Sequence, residues 1–351
     1  MTMSRTIGRA GLLALALAAS GTEPARADAV ADFYQGKTIT IYVGFSAGGG
    51  FDLCARLVAA HYGPHIPGHP TVVVKNMPGG GTRKAAAYLA NASAQDGTTL
   101  GVFVDSLAID TLLRPDPKFS VEKFAWIGRI TTGSKLAFLW HTAPATSVRD
   151  AIGKKLTIAA ISPTSTSAMI PLVLNDIVGT RFEPIVGYRG SSSMALAAER
   201  GETDGGGAIG LDALETVHAD WMREKKIHLL YIASVHRNKA LPDVPALPEF
   251  AKTDKDRKVL TALGSGTEVG RALAGEPRIP KAREAALRRA FDALVKDPAF
   301  LADAAKRKIE VEPLDGTALQ SLVAEVAAMP KPIVDSLKAA VKNDAKVSGG
   351  K

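Results

Sequence analysis

Cysteine, aromatic residues and long apolar segments are all scarce in this chain of 351 residues. The single cysteine, Cys54, excludes an internal disulfide, so a fold of this length must rest on a large apolar core. Because Cys54 falls on the apolar face of a predicted helix, we interpret it as a small buried core residue. Aromatic residues are 6% of the chain and are sparse near its basic stretches, which argues against a nucleic-acid-binding channel.

The N-terminus contains a short apolar run with the features of a secretory signal peptide. Two arginines precede the run at residues 11–19, and an A-x-A cleavage signal follows at residues 25–27. The run is shorter than the roughly 20 residues that a membrane-spanning helix needs. We therefore predict a signal peptide over residues 1–27 and export of the remainder, with an uncleaved anchor helix as the alternative. No later segment is long and apolar enough to predict a membrane span.

Basic residues outnumber acidic ones, 43 to 35, which gives a formal net charge of +8. The charge is spread along the chain and is densest at residues 281–289. A moderate positive field of this kind suits an anionic small ligand.

Strand and helix patterns alternate along the chain, which predicts an α/β fold with sheets covered by helices. Because about 320 residues remain without disulfides, we expect the core to be divided between two lobes. The predicted strands are residues 38–45, 71–75, 98–104, 135–141, 156–160, 182–186 and 227–234. The predicted helices are residues 51–63, 82–91, 166–178 and 191–200, followed by a mainly helical tail over 281–347.

The most informative segment is residues 38–52, in which an apolar strand runs into Ser46 and three glycines and then directly into a helix. This arrangement points free backbone N–H groups and a helix N-terminus at one place, where an anion can approach the glycines closely. Residues 161–167 and 187–193 repeat the arrangement with hydroxyl residues before a helix. Since ligands bind at the carboxyl ends of strands in such sheets, we predict an anion site in a cleft between two lobes.

Other functions fit the same residues less well. Gly44-Phe45-Ser46-Ala47-Gly48 matches G-x-S-x-G, the nucleophile elbow of a serine hydrolase, but too little chain lies upstream to supply the rest of such a site. The glycine-rich turns match neither nucleotide-binding fingerprint. The histidines at 61, 65 and 69 have the spacing of a metal-binding helix face, but Pro64 and Pro67 interrupt that helix. We therefore predict no metal and no cofactor, and keep the secreted serine hydrolase as the alternative.

An ordered set of motifs resembles the Bug receptor family, the extracytoplasmic receptors of tripartite tricarboxylate transporters. Each motif is weak alone, but their order and spacing cover nearly the whole chain after the signal peptide. The motifs are FYQGKTI at residues 33–39, VGFSAGGGFD at 43–52, NMPGGG at 76–81, DGTTL at 96–100, YRG at 188–190 and LPDVP at 241–245.

The resemblance implies a periplasmic-binding-protein-like fold of type II, with two α/β lobes and a ligand cleft between them. Residues 28–130 would begin lobe 1, residues 131–262 would form lobe 2, and residues 263–351 would return to lobe 1 with C-terminal helices. The crossing segments near 124–134 and 263–275 would act as hinges, with Gly128, Gly133, Gly264 and Gly266 as small residues there.

The resemblance also implies a small carboxylate as ligand and the large and small membrane subunits of a permease as partners, with the receptor in the periplasm as a monomer. Carried over by position, lobe 1 would bind the ligand through Ser46, Ala47, Gly48, Gly49, Asp52, Asp105 and Ser106. Lobe 2 would bind its other end through Ser162, Thr164, Ser165, Thr166, Ser167, Gly190, Ser191 and Ser192.

Overall fold

A computed structural model describes residues 24–132 and 134–348 of the chain. Most of the predicted signal peptide lies outside these residues. The described chain starts with helix α1 (Pro24–Tyr34), which includes the last residues of that peptide and continues past the predicted cleavage point. Among the described residues, no helix combines the length and the apolarity that a membrane span requires.

Eleven strands and thirteen helices are present in the described residues. The strands are β1 (Thr38–Val43), β2 (Thr71–Asn76), β3 (Thr99–Val102), β4 (Ala125–Thr131), β5 (Lys135–Trp140), β6 (Lys155–Ala160), β7 (Arg181–Val186), β8 (Gly205–Gly210), β9 (Ile227–Ile232), β10 (Arg271–Gly275) and β11 (Leu314–Asp315). The helices after α1 are α2 (Gly50–Tyr62), α3 (Arg83–Asn91), α4 (Leu107–Leu113), α5 (Thr166–Val178), α6 (Ser191–Glu199), α7 (Leu211–Thr216), α8 (Ala219–Arg223), α9 (Asp254–Gly266), α10 (Lys281–Leu294), α11 (Pro298–Lys306), α12 (Gly316–Ala327) and α13 (Lys331–Ser348).

The strands form two mixed sheets, which confirms the predicted α/β fold with two lobes. The first sheet has the order β11-β4-β10-β3-β1-β2, and the second has the order β7-β6-β8-β5-β9. In each sheet a parallel part (β2-β1-β3 and β7-β6-β8) adjoins strands that run antiparallel to it. We call the first sheet with its helices the first lobe and the second sheet with its helices the second lobe.

The structure has a strand at each of the seven predicted places, whereas the sequence did not predict β4, β8, β10 and β11. Strand β5, KLAFLW, is buried along its whole length, as expected of a central strand with helices on both faces. Strand β8, GGGAIG, has no such pattern and was missed as a strand. A Cβ at Gly205 or Gly207 would lie 2.0 Å from the carbonyl oxygen of Phe138 or Ser167, so close packing explains glycine here.

The chain passes between the sheets twice, and the two crossing segments lie side by side. The first joins β4 to β5 through residues 132–134, and the second leads from β9 to β10. Gly270 in the second segment has a φ of +61°, and a Cβ there would lie 2.3 Å from the Thr131 carbonyl oxygen of the first. Gly133 lies outside the described residues.

The C-terminal helices pack on both lobes. Helices α10 and α12 lie against β4, and α11 lies against α2, all in the first lobe. Helix α13 instead packs against α5 of the second sheet, against α9 and against α4. The lobe boundaries at 28–130, 131–262 and 263–351 stay a prediction, and α13 contacts elements on both sides of them.

Candidate functional site

A cavity lies between the lobes, at the carboxyl ends of β1, β3, β6 and β8. The empty space between its walls is about 580 Å³, a volume that includes the part open to solvent. The first lobe lines it with Phe45, Ser46, Gly49, Gly50, Phe51, Val104 and Arg271. The second lobe lines it with Lys135, Ile161, Thr166, Gly190, Ser191, Ser192, Ser193, Met194, Ala208, Ile209 and Gly210.

Three helices begin at the cavity wall: α2 at Gly50, α5 at Thr166 and α6 at Ser191. A helix leaves its first N–H groups without intrahelical acceptors and carries a partial positive charge at that end. The starts of α2 and α6 nearly touch across the cleft, because a Cβ at Gly49 would lie 3.1 Å from Ser191 Oγ. An anion between these helix starts would meet N–H donors from both lobes.

The loop before α2 uses part of its own N–H groups. The Ser46 N–H donates to the Arg189 carbonyl across the cleft, at 3.1 Å. The Gly48 N–H donates to Asp52 Oδ2 at 2.9 Å. The donors that this lobe leaves for a ligand are therefore those of the first turn of α2, beginning at Gly49 and Gly50.

Asp52 lies behind the loop rather than in the cavity, and its side chain is 2% exposed. It accepts hydrogen bonds from Gly48 N–H, from Asn76 Nδ2 at 2.8 Å and from Arg56 Nε at 2.9 Å. Burial alone would raise the pKa of Asp52, but the hydrogen bonds from these three donors and the Arg56 charge outweigh it and hold the pKa below its ordinary value. The charged carboxylate thus fixes the shape of the loop.

The hydroxyl-rich turn before α5 is bonded mainly to itself. Ser165 Oγ donates to the Ser162 carbonyl and accepts from the Ser162 N–H, and Ser167 Oγ accepts from the Ile161 N–H. Thr164 Oγ1 contacts Asp110 and Arg114 of the first lobe. Within this turn, Thr166 is the predicted residue that lines the cavity.

Two buried ion pairs, neither of which was predicted from the sequence, join the lobes beside the cavity. Lys135 Nζ pairs with Asp105, and Arg271 pairs with both carboxylate oxygens of Asp212, at 2.5 and 2.8 Å. Burial lowers the pKa of Lys135, with the Asp105 charge opposing that shift. Burial would raise the pKa of Asp212, but the Arg271 charge and hydrogen bonds hold it below its ordinary value.

An aromatic pair forms the first-lobe wall. The rings of Phe45 and Phe51 stack with centroids 4.3 Å apart and planes 19° apart. Lys135 Nζ lies 4.7 Å and Arg271 Cζ 5.9 Å from the centroid of Phe51, within cation–π range. Phe45 and Phe51 flank the glycines of the predicted anion site, and the sequence pattern assigns them only to the strand and the helix.

The predicted site residues divide into two groups, and the ligand contacts of both groups stay predictions. Those that line the cavity are Ser46, Gly49, Thr166, Gly190, Ser191 and Ser192. Those outside its lining are Ala47, Gly48, Asp52, Asp105, Ser106, Ser162, Thr164, Ser165 and Ser167. Several of the second group are buried supports of the wall, including Asp105, Ser106 and Ser167.

The histidines lie away from Ser46 as far as the described residues show. None of the residues that line the cavity there is a histidine. His61 contacts Asp303 and His65 contacts Asp297, both on the α11 side of the first lobe. A serine hydrolase needs an imidazole within hydrogen-bonding reach of its nucleophile, and the described residues that line this cavity include none.

The family model described as the tripartite tricarboxylate transporter family receptor matches residues 57–338 of this chain. The chain belongs to this receptor family. A curated relative, the UPF0065 protein in the TAR-I ttuE-ttuC' intergenic region of Agrobacterium vitis, is 27% identical over 240 residues. That alignment covers 66% of each chain, slightly less than two thirds of the relative's length.

Solved receptors share the fold of this family member at low sequence identity. The periplasmic binding protein BugD has a TM-score of 0.67 and 18% identity, with 88% of this chain and 98% of that chain covered. An R. palustris protein solved with adipate has a TM-score of 0.68 and 19% identity, with coverage of 86% and 97%. MatC from Rhodopseudomonas palustris, solved with malate, has a TM-score of 0.65 and 22% identity, with coverage of 86% and 99%.

Proposed function

We propose that this protein is a periplasmic solute receptor that captures a small carboxylate and delivers it to the large and small membrane subunits of a tripartite tricarboxylate-type permease. Family membership supports the receptor role. The adipate and malate bound by two proteins of the same fold support a carboxylate ligand. The observation that carries the proposal is the cavity between the lobes, at which α2, α5 and α6 all begin.

The helix starts explain how a carboxylate is held. Each helix N-terminus offers unpaired N–H donors and roughly half a positive charge. Gly49 lets the ligand approach the first turn of α2, and the hydroxyls of Ser191 and Ser192 add donors at the start of α6. Because the donors come from both lobes, the closed arrangement binds the ligand better than an open one, and the ligand favours closure.

Thermal-shift measurements on the purified protein with a panel of carboxylates test the proposal, because a ligand of the folded state raises the melting temperature by mass action. The panel contains malate, succinate, adipate, hexanoate and benzoate, with matched neutral amides as controls. We expect at least one carboxylate to raise the melting temperature and its amide to have no effect. A panel without any stabilising carboxylate would contradict the proposal.

A matched pair of variants tests where the carboxylate binds. Gly49→Val places a branched side chain between the starts of α2 and α6, so we expect at least a tenfold loss of affinity by calorimetry. Ala92→Val adds a branched side chain at an exposed residue outside the cavity lining, and we expect affinity close to wild type. Equal affinities for the two variants would show that the ligand binds elsewhere.

The hydrolase alternative has a direct test. We expect no product from ester substrates and no labelling of Ser46 by serine-directed phosphonates, because the described cavity wall holds no imidazole to activate that hydroxyl. Stoichiometric labelling of Ser46, identified by mass spectrometry, would support the hydrolase instead.

A further inference from the structure

The charged side chains of the cavity wall are already neutralised. Among the described lining residues, Lys135 and Arg271 carry charge, and each is paired with a buried carboxylate, Asp105 and Asp212. The side chains of all four are at most 8% exposed, so water screens these pairs little. Neither cation offers its full charge to a ligand.

The positive potential left for a ligand comes mainly from backbone. The starts of α2 and α6 face each other across the cleft and supply roughly half a charge each, which together match one carboxylate. A second carboxylate on the same ligand would have to lie farther along the cavity.

The rest of the wall is poorly suited to a second negative charge. The start of α5 at Thr166 lies there, but a single helix start supplies only about half a positive charge, and most of the remaining side chains, from both lobes, are apolar. The apolar members are Phe45, Phe51, Val104, Ile161, Met194 and Ile209. Burial of an unpaired carboxylate against such surfaces is costly, whereas burial of a hydrocarbon body is favourable. The Phe51 ring, with Phe45 stacked on it and Lys135 Nζ 4.7 Å from its centroid, adds apolar surface to this wall.

From these contacts we infer that the cavity selects a monocarboxylate with an apolar body over dicarboxylates and tricarboxylates. The inference rests on the proposed function and narrows its ligand class. The carboxylate lies between the starts of α2 and α6, and the hydrocarbon body lies against Phe51 and the apolar side chains opposite. A preference for monocarboxylates would distinguish this protein from the two proteins of similar fold that were solved with the dicarboxylates adipate and malate.

Matched ligand pairs that differ by one carboxylate test the selection on the wild-type protein. Calorimetry compares hexanoate with adipate, which have the same chain length, and benzoate with terephthalate. We expect the monocarboxylate of each pair to bind at least tenfold more tightly. If adipate or terephthalate binds as well as its partner or better, the inference is wrong while the proposed receptor function stands. If no carboxylate binds, the proposed function fails with it.

Two variants separate the roles of the ring and the charges. Phe51→Ser removes apolar surface from the wall, so we expect a loss of about fivefold or more in the affinities for benzoate and hexanoate. Val217→Ala, at a side chain that is 56% exposed and outside the cavity lining, is the control and should leave both affinities unchanged. Unchanged affinities in Phe51→Ser would contradict contact between the hydrocarbon body and Phe51.

Asp105→Asn releases the charge of Lys135 and provides the second test. We expect adipate affinity to rise relative to hexanoate by about tenfold, because the freed ammonium group can pair with a second carboxylate. A purely structural role of Asp105 would lower both affinities alike and leave their ratio unchanged, which would contradict the charge argument. If this variant does not fold, the wild-type ligand pairs decide the question.

Discussion

At the scale of single residues, Asp52 shows how a buried carboxylate can shape a ligand cavity from behind its wall. Its hydrogen bonds hold its pKa below the ordinary value, so its contribution to stability is fully present above about pH 4 and is lost as pH falls through the folded-state pKa. We expect Asp52→Asn to lower the free energy of unfolding by about 2 kcal/mol at pH 7.

The same variant should also have a flatter decline in stability between pH 5 and pH 2 than wild type, by urea denaturation at each pH. If the free energy of unfolding depended on pH in the same way in both proteins, the charged form of Asp52 would not be what stabilises the loop. The variant also tests whether the Asp52 carboxylate favours ligands that carry an amino group beside the carboxylate. If the ratio of affinities for carboxylates with and without an amino group is unchanged in Asp52→Asn, the result agrees with the placement of Asp52 outside the cavity lining.

Gly48 is needed for its backbone conformation, with a φ of +86° that residues with a side chain rarely adopt. We expect Gly48→Ala to destabilise the protein by about 1 kcal/mol and to weaken carboxylate binding, because relief of the strain displaces the start of α2. Gly153, at a φ of +72° with open space around it and far from the cavity lining, provides the matched control. Gly153→Ala should show a similar loss of stability in urea and an unchanged affinity for the carboxylate. If both variants lost affinity to a similar degree, displacement of the start of α2 would not explain the loss in Gly48→Ala.

At the scale of elements, local patterns predicted what depends on local sequence. The strand–glycine–helix segment around Gly48–Gly50 and the hydroxyl residues before α6 were predicted from their residues and line or adjoin the cavity. Strand β8 was missed because close contacts with β5 and α5 require its glycines. The pairs of Lys135 with Asp105 and of Arg271 with Asp212 were missed because their partners are 30 and 59 residues apart and meet only when the lobes come together.

The pair of Arg271 and Asp212 should contribute strongly to the contact between β10 and the start of α7. Asp212→Asn leaves a guanidinium group that is 3% exposed without a compensating charge, so we expect a loss of about 3 kcal/mol in the free energy of unfolding. Asp335→Asn removes one partner of an exposed pair with Lys331 on α13 and should cause no measurable change. Equal effects of the two substitutions in chemical denaturation would contradict the importance of burial.

At the scale of the whole molecule, the two crossing segments and the contacts across the cavity describe a closed arrangement of the lobes. Gly128 and Gly264, which the sequence indicated as hinge positions, lie inside β4 and α9, and a Cβ at either would press on Phe291 or on the backbone at Ser234 and Val235. Their small size therefore serves packing. We expect the bending points at Thr132, Ser134 and Gly270, which lie between the regular elements.

A disulfide between Gly49→Cys and Ser191→Cys should lock this closed arrangement. The distance of 3.1 Å from a Cβ at Gly49 to Ser191 Oγ leaves the two β-carbons near the separation that a disulfide requires. Cys54 should not compete, because it is buried and burial raises the pKa of its thiol to about 12. We expect the oxidised double variant, formed without ligand, to bind no carboxylate, because the ligand enters only when the lobes separate.

Reduction of this disulfide should restore binding at the weakened affinity that the two substitutions themselves cause, and the affinity of each single variant should be the same under oxidising and reducing conditions. Small-angle scattering provides the independent measurement: the radius of gyration of the wild-type protein should fall when a binding carboxylate is added, and that of the oxidised double variant should already match the liganded value. Rapid ligand exchange in the fully oxidised protein would refute closure as the gate. In that case the contacts of Ser46 with Arg189 and of Arg271 with Asp212 would belong to a rigid molecule whose cavity is open to solvent at all times.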